Sequence, residues 1–279
     1  MNAIVPGLAA PELTGALEAN LAEEVEVFGR ALPGSEIYHG EELVRFSTRR
    51  SFFNGVHHAR FASDEKAYVD AKIAETLAYF KARELSCMWV IGPSVRPTDL
   101  ATRLLEHGLT FLNEAPVLVL DLSETEEDAP TLEGLAIQEA SNAEELRPLV
   151  ELEMQCFAVS EEIAHYYYDT YVATGFGSGQ AWHHYIGMLH GRPVAMAALL
   201  LHAGVAGIYG VGTIPEARRR GIGMALVQHA LREARSAGYR VALLTPTDMS
   251  LRIYQRLGFQ QHCALQFYLW RPEQQEPSA

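Results

Sequence analysis

Residues 208–225 read Ile208-Tyr-Gly-Val-Gly-Thr-Ile-Pro-Glu-Ala-Arg218-Arg-Arg-Gly221-Ile-Gly223-Met-Ala. An apolar run ends at Thr213, Pro215 starts a turn, three arginines follow, and Gly221-x-Gly223 opens the next segment. Over Met224–Ser236, Leu226, Val227, Ala230, Leu231 and Ala234 recur on one face at helical spacing, so the glycines stand at the start of an amphipathic helix. The first turn of such a helix carries N–H groups without intrahelical acceptors and a partial positive charge, and glycine lets an anion come close to the main chain. The string is therefore a place for a pyrophosphate. Glycine before a helix is also a common turn device, so the order of the flanking elements has to carry the assignment.

Upstream, His183–His190, Pro193–Leu201 and Val205–Thr213 are three strand candidates joined by turn signals at Gly191-Arg192 and Ala203-Gly204, which predicts an antiparallel meander. Before them, Leu135-Ala-Ile-Gln is a short strand, and Ser141 with Glu three residues later is a capping box opening a helix. Downstream, Val241–Leu244 is a short strand, and a helix over Leu251–Arg256 ends at Gly258 in a left-handed cap. The class is α/β in the mixed, α+β sense: a mostly antiparallel, twisted sheet flanked by helices.

Two nucleotide motifs can be set aside directly. A dinucleotide fingerprint needs glycine three residues after Gly223, where Leu226 stands, and there is no Gly-Lys-Ser/Thr for a P-loop. In contrast, Arg-x-x-Gly-x-Gly at 218–223 after a meander strand, then helix, strand and Tyr-x-x-x-Gly-Phe at 254–259, resembles the GCN5-related N-acetyltransferase (GNAT) family. The resemblance covers about residues 135–270. It implies acetyl-CoA as cosubstrate, bound at its pyrophosphate by the loop Arg218, Arg219, Arg220, Gly221, Ile222, Gly223 and Met224. It implies that main-chain groups of Val211, Gly212 and Thr213 pair with pantetheine and polarise the thioester carbonyl, and glycines at 210 and 212 suit the bulge this requires. Tyr254 aligns with the tyrosine that acts as general acid toward the coenzyme sulfur, and Thr247 stands where many relatives place an asparagine. One departure concerns the general base, since Val205–Thr213 contains no Asp or Glu. Asp248, Glu161 and Glu162 are candidates, as is a water chain, although each acid also reads as a solvated surface residue.

Compared with itself at an offset of 153 residues, the sequence repeats. Ala71–Pro93 lies over Met224–Pro246 without a gap, and after three extra residues Leu104–Leu109 falls over Tyr254–Phe259. Both copies continue into a strand, Pro116–Leu122 and Ala264–Trp270. The repeat predicts two tandem domains of one kind: residues 1–125, an acidic linker over 126–133, and residues 134–271, with a disordered tail over 272–279. In the first copy the loop positions become Glu65, Tyr68 and Asp70, and Tyr254 becomes Leu104. An acidic loop without glycine does not receive a pyrophosphate, so the N-terminal domain is expected to be a degenerate GNAT-like copy without a cofactor site.

The net charge of −13 offers no attraction toward phosphate backbones or anionic lipid, which argues against nucleic acid and membrane as partners. The acidity is uneven: −11 over residues 1–134 and −2 over 135–279. Cys87, Cys156 and Cys263 form no CxxC pair, so neither a disulfide framework nor a metal site is expected, and a reducing cytoplasm fits. The N-terminus has no basic n-region or h-region, and the apolar stretches are too short to span a bilayer. His183, His184, His190 and His202 read as ordinary strand or turn residues. Phe157 and Tyr166-Tyr-Tyr-Asp-Thr-Tyr171 precede a glycine-rich loop in the acceptor region, where core packing is the default reading of such aromatics. The expected acceptor is a small-molecule or peptide amine. A non-catalytic acyl-CoA-binding regulatory or scaffold protein is the alternative, and the oligomeric state is open.

Overall fold

The computed structural model describes residues 3–31, 33–48, 50, 52–124 and 132–272; of the expected linker 126–133, residues 126–131 lie outside the described residues, as do residues 273–279 of the expected tail 272–279. In chain order the elements are α1 (Leu13–Ala31), β1 (Glu36–His39), β2 (Val44–Ser47), β3 (Gly55–His57), α2 (Lys66–Lys81), β4 (Cys87–Ile91), α3 (Leu100–Glu106) and β5 (Thr110–Asp121). They continue with β6 (Leu135–Glu139), α4 (Ala143–Leu146), α5 (Pro148–Phe157), α6 (Glu161–Thr174), β7 (Trp182–Leu189), β8 (Arg192–His202) and β9 (Val205–Thr213). The last are α7 (Ile222–Ser236), β10 (Val241–Leu244), α8 (Leu251–Arg256) and β11 (Gln260–Trp270). This is a mixed α/β fold of mostly antiparallel strands flanked by helices.

The internal repeat is visible in the elements: α2, β4, α3 and β5 recur in the same order as α7, β10, α8 and β11. The two compact units nevertheless do not coincide with the halves 1–125 and 134–271. One unit consists of Met1–Glu24 with Leu118–Gln261, the other of Val25–Val117 with His262–Ala279. Each repeat ends in a long strand, and a strand's alternation of apolar residues does not say which neighbour it will pair with.

In the first unit the strands run β5, β10, β9, β8, β7, β6. Leu118–Asp121 of β5 pairs antiparallel with β10, β10 pairs parallel with β9, and the meander β9-β8-β7-β6 is antiparallel throughout. The core forms because α7 turns Val227, Ala230, Leu231 and Ala234 onto Leu118, Leu120, Leu199, Ile208 and Leu244. The tight turn between β8 and β9 has Ala203 and Gly204 both at positive φ, the geometry that matches the twist of a two-residue hairpin. The amide of Val5 donates to the carbonyl of Gly204. On α1, Asn20 is fully buried; its amide donates toward the carbonyls of Leu200, His202 and Val205 at 3.3, 3.0 and 3.2 Å and its oxygen accepts from the Tyr209 hydroxyl at 2.7 Å. The capping box before α4 lies one residue later than expected. Asn142 caps the amide of Glu145, and the Glu145 carboxylate accepts from the main-chain and side-chain donors of Ser141.

In the second unit the order is β1, β2, β3, β4, β11, β5, with β3 and β4 parallel. Trp89, Ile73, Phe80, Leu100, Leu104 and Tyr268 fill its core.

Candidate active site

Strand β9 changes character along its length. Tyr209 pairs with Ala198 and Gly212 with Met196, so the segment Gly210-Val211 opposes a single residue of β8 and forms a bulge. Gly210 takes φ +56 to make it. On the other side, pairing with β10 covers only Ala206 and Gly207. Beyond them the strands part, and the main chain of Gly210, Val211, Gly212 and Thr213 is left without a β10 partner. The bulge falls at Gly210, one of the two glycines singled out in the sequence.

The strand leads into a loop braced by its own first arginine. Arg218 donates from Nε to the carbonyl of Thr213 at 3.0 Å and from Nη2 to the carbonyl of Cys156 at 3.3 Å. Arg219 and Gly221 adopt positive φ, +61 and +82, and α7 begins at Ile222 with no side-chain cap. The first amide that finds a main-chain acceptor there is Ala225, bonded to the carbonyl of Gly221. Among the described residues the amides of 219–224 have none. Arg218, Arg219 and Arg220 are exposed around these donors, making the start of α7 electropositive. Gly221 is open, the nearest atoms to an added Cβ being Leu132 methyls at 3.7 and 3.8 Å. Gly223 is close-packed: a Cβ there would meet the Thr213 hydroxyl at 3.3 Å, so this glycine brings the helix start against the opened strand.

Tyr254 lies on α8 in the core of the same unit, 8% exposed, its ring edge-on to Phe259. Burial pushes its phenol up to about 12, so it is protonated at neutral pH, and among the described residues no hydrogen bond engages its hydroxyl. Thr247 is exposed and its hydroxyl contacts that of Ser250 at 3.1 Å, within the turn that opens α8. Its observed contacts are those of a turn residue. The base candidates Asp248, Glu161 and Glu162 are exposed, the latter two in the first turn of α6 capped by Ser160.

Sequence reading missed two acids that desolvation shifts. Glu153 is 5% exposed on α5, and among the described residues no hydrogen bond or ion pair reaches it. Desolvation raises its carboxyl to about 7. One helical turn on, Cys156 packs at Gly212, where an added Cβ would meet Cys156 Cβ at 2.8 Å and Sγ at 3.0 Å. Burial pushes that thiol up to about 11, with Arg218 opposing and Glu153 reinforcing the shift. The second acid, half-buried Glu24 on α1, is also raised to about 7 by desolvation. Both carboxylates act on the phenols of Tyr167 and Tyr171, which burial holds well above the usual range. A signal was present. Leu149, Leu152, Glu153 and Cys156 share one face of α5, as Leu13, Leu17, Asn20 and Glu24 share one face of α1, and a polar residue on such a face is one worth questioning.

A raised carboxyl makes a stability statement. Its folded value lies above the unfolded one, so stability falls as pH rises from about 4.5 to about 7. Glu153→Gln is expected to stabilise the protein at pH 8 by roughly 2 kcal/mol, less than the full ionisation cost because the amide remains unsatisfied. The difference should vanish near pH 4, and thermal unfolding at the two pH values measures it.

In the other unit the equivalent helix start is occupied by its own ions. Asp70 contacts Lys66 at 3.2 Å and His107 at 3.3 Å, Tyr68 donates to Glu42 at 2.8 Å, and Lys72 contacts Glu42 at 3.0 Å. Leu104 is fully buried. Among the described residues no group of His, Cys, Asp and Glu is placed to hold a metal ion, and no helix is long and apolar enough to cross a membrane.

Residues 146–259 match the Acetyltransferase (GNAT) family. Among solved structures, a GCN5-related N-acetyltransferase from Kribbella flavida is 22% identical, with 91% of this chain and 95% of that one covered and a TM-score of 0.68. A tandem GNAT protein from the clavulanic acid biosynthesis pathway is 13% identical over 98% and 99% of the two chains, TM-score 0.66. A GCN5-related N-acetyltransferase from Sphaerobacter thermophilus is 18% identical over 94% and 93%, TM-score 0.62. Likenesses at these identities speak to the fold. A search of curated proteins gives no match.

Proposed function

We propose, from the premise that residues 146–259 form a domain of the GNAT acetyltransferase family, that the protein transfers the acetyl group of acetyl-CoA to a primary amine by direct attack. The observation that carries this is the meeting, through Gly223, of the amides of 219–224, which have no main-chain acceptor among the described residues, and the edge of β9 that β10 leaves unpaired. The first set fits a pyrophosphate, and the second fits the amide-bearing arm of the coenzyme with its thioester. Val211, Gly212 and Thr213 then lie where a main-chain N–H can stabilise the oxyanion that develops during attack.

Tyr254 supplies a hydrogen bond to the leaving sulfur. With its phenol near 12 and a thiol near 8.5, full proton transfer from the tyrosine is uphill, so the thiolate takes its final proton from water while Tyr254 stabilises its charge. Thr247 serves as a turn residue in this reading. The N-terminal repeat is a GNAT-like copy without a cofactor site, its loop neutralised by its own ion pairs. The acceptor is a small molecule or peptide carrying an amine, and isolated thiols suit a cytoplasmic setting.

Calorimetric titration with acetyl-CoA tests the cofactor, and amine-dependent release of free coenzyme thiol tests the reaction. A transferase releases thiol faster when amine is added; a protein that only binds acyl-CoA does not. Tyr254→Phe is expected to lower kcat by 10- to 100-fold with acetyl-CoA affinity unchanged, and an equal loss in affinity would remove Tyr254 from the chemistry.

A further inference from the structure

The opened strand carries no acid, so the proton of the attacking ammonium needs a destination elsewhere. Glu153 meets the requirements by position. It lies on the face of α5 that packs on the bulged strand, one turn before Cys156, whose side chain abuts Gly212. It is more than nine-tenths buried and without a hydrogen-bond or ion-pair partner among the described residues. A carboxylate buried in this way is tolerated only if it is neutralised or meets a cation.

We propose that Glu153 is the proton acceptor for an acceptor substrate that arrives as a primary alkylammonium ion. This rests on the acetyltransferase reading above. The Glu153 carboxylate acts on Tyr167 and Tyr171 of α6 and on Cys156 of its own helix; Glu24 of α1 acts on the same two phenols, and Arg218 acts on Cys156. The near neighbours are thus mainly acids and phenols, a surrounding that favours an organic cation over an anion, with the tyrosine rings adding to the attraction. In the reaction one ammonium proton passes to the Glu153 carboxylate, leaving the neutral amine. Its nitrogen forms the C–N bond at the thioester carbon, and the C–S bond breaks with the electron pair going to sulfur. The second N–H proton leaves to water as the amide forms, water protonates the thiolate, and Glu153 returns its proton to solvent. Glu153 accepts a proton in each cycle without being strained toward ionisation, since desolvation places its carboxyl near 7, within reach of neutral pH.

The test measures thiol release from acetyl-CoA with n-butylamine and with 1,4-diaminobutane across pH 5.5 to 10, in wild type, Glu153→Gln and Glu153→Asp. Acetyl-CoA titration and circular dichroism of each protein run alongside. Wild-type kcat/KM for the amine should rise to a plateau above about 7. Glu153→Gln should bind acetyl-CoA as wild type does, lose about 100-fold or more at pH 7.5, and replace the plateau with a rise continuing toward the amine's own titration. Glu153→Asp should keep the plateau at a reduced rate. A limb near 7 that persists in Glu153→Gln overturns the assignment and leaves the transferase intact. A wild type that binds acetyl-CoA yet releases no thiol with either amine overturns the assignment as well, and counts against the transferase reading. No acetyl-CoA binding in wild type overturns the transferase reading, and this inference falls with it.

Discussion

Gly221→Glu is expected to weaken acetyl-CoA binding by more than 100-fold, about 2.7 kcal/mol or beyond, with little change in the folded structure. Three effects act in the same direction. Gly221 has φ +82, which costs a side chain about 1–2 kcal/mol. The space above it is open apart from Leu132, so the side chain will fit, and it will fit where the phosphates must come. Its carboxylate will also take up the unpartnered amides of 219–224 and the field of Arg218, Arg219 and Arg220. Gly221→Ala separates strain from occupation, since it carries the φ penalty without the charge and should retain most of the affinity. Titration of the three proteins at two salt concentrations decides it. Wild-type affinity in the glutamate variant would sink the loop assignment.

Asn20→Ala is expected to destabilise the unit formed by 1–24 and 118–261 by about 4 kcal/mol. The amide lies buried beneath the β8–β9 turn and serves three carbonyls and one hydroxyl at once. Alanine leaves the Tyr209 hydroxyl without its acceptor and Leu200, His202 and Val205 without the donors that tie the turn to α1. Each buried polar group so stranded costs about 1–3 kcal/mol. At about 2–4 °C per kcal/mol for a chain of this size, the melting temperature should fall by roughly 10 °C. Tyr209→Phe removes both the hydroxyl and its need for a partner, so it should cost about 1 kcal/mol and recover part of the loss in the double variant. A fall below 2 °C in calorimetry would mean that Asn20 is a passive filler.

β9, β10 and α8 were legible to the residue because local rules govern them: a two-residue turn, a short apolar run and a glycine stop. α7 was legible except for its first two residues, since a helix start with glycine as cap has no side-chain marker. The Gly221-x-Gly223 entry into α7 was legible as a turn before a helix, because glycine ahead of an amphipathic run is written in residue type. Partner choice was not. The final strands of the two repeats have the same pattern, and nothing local distinguishes the neighbour of Leu118 from that of Gln266. The proposed base was missed for a different reason. Search along the strand for an acid finds none, whereas Glu153 comes from a helix and is marked only by being charged on an apolar face.

The membership of Met1–Glu24 and Leu118–Asp121 in the unit that contains residues 218–224 bears on heredity. A duplicated gene ordinarily leaves one copy free to decay and then to vanish. Here the first repeat encodes the strand that hydrogen-bonds β10, and the segment preceding it encodes the asparagine that holds the β8–β9 turn. A deletion that trimmed the chain back to residues 134–279 would take from the surviving unit a strand and its helical clamp. The first repeat thus lends structure to the unit built around the second, and the two are expected to be inherited, translated and folded as one gene product.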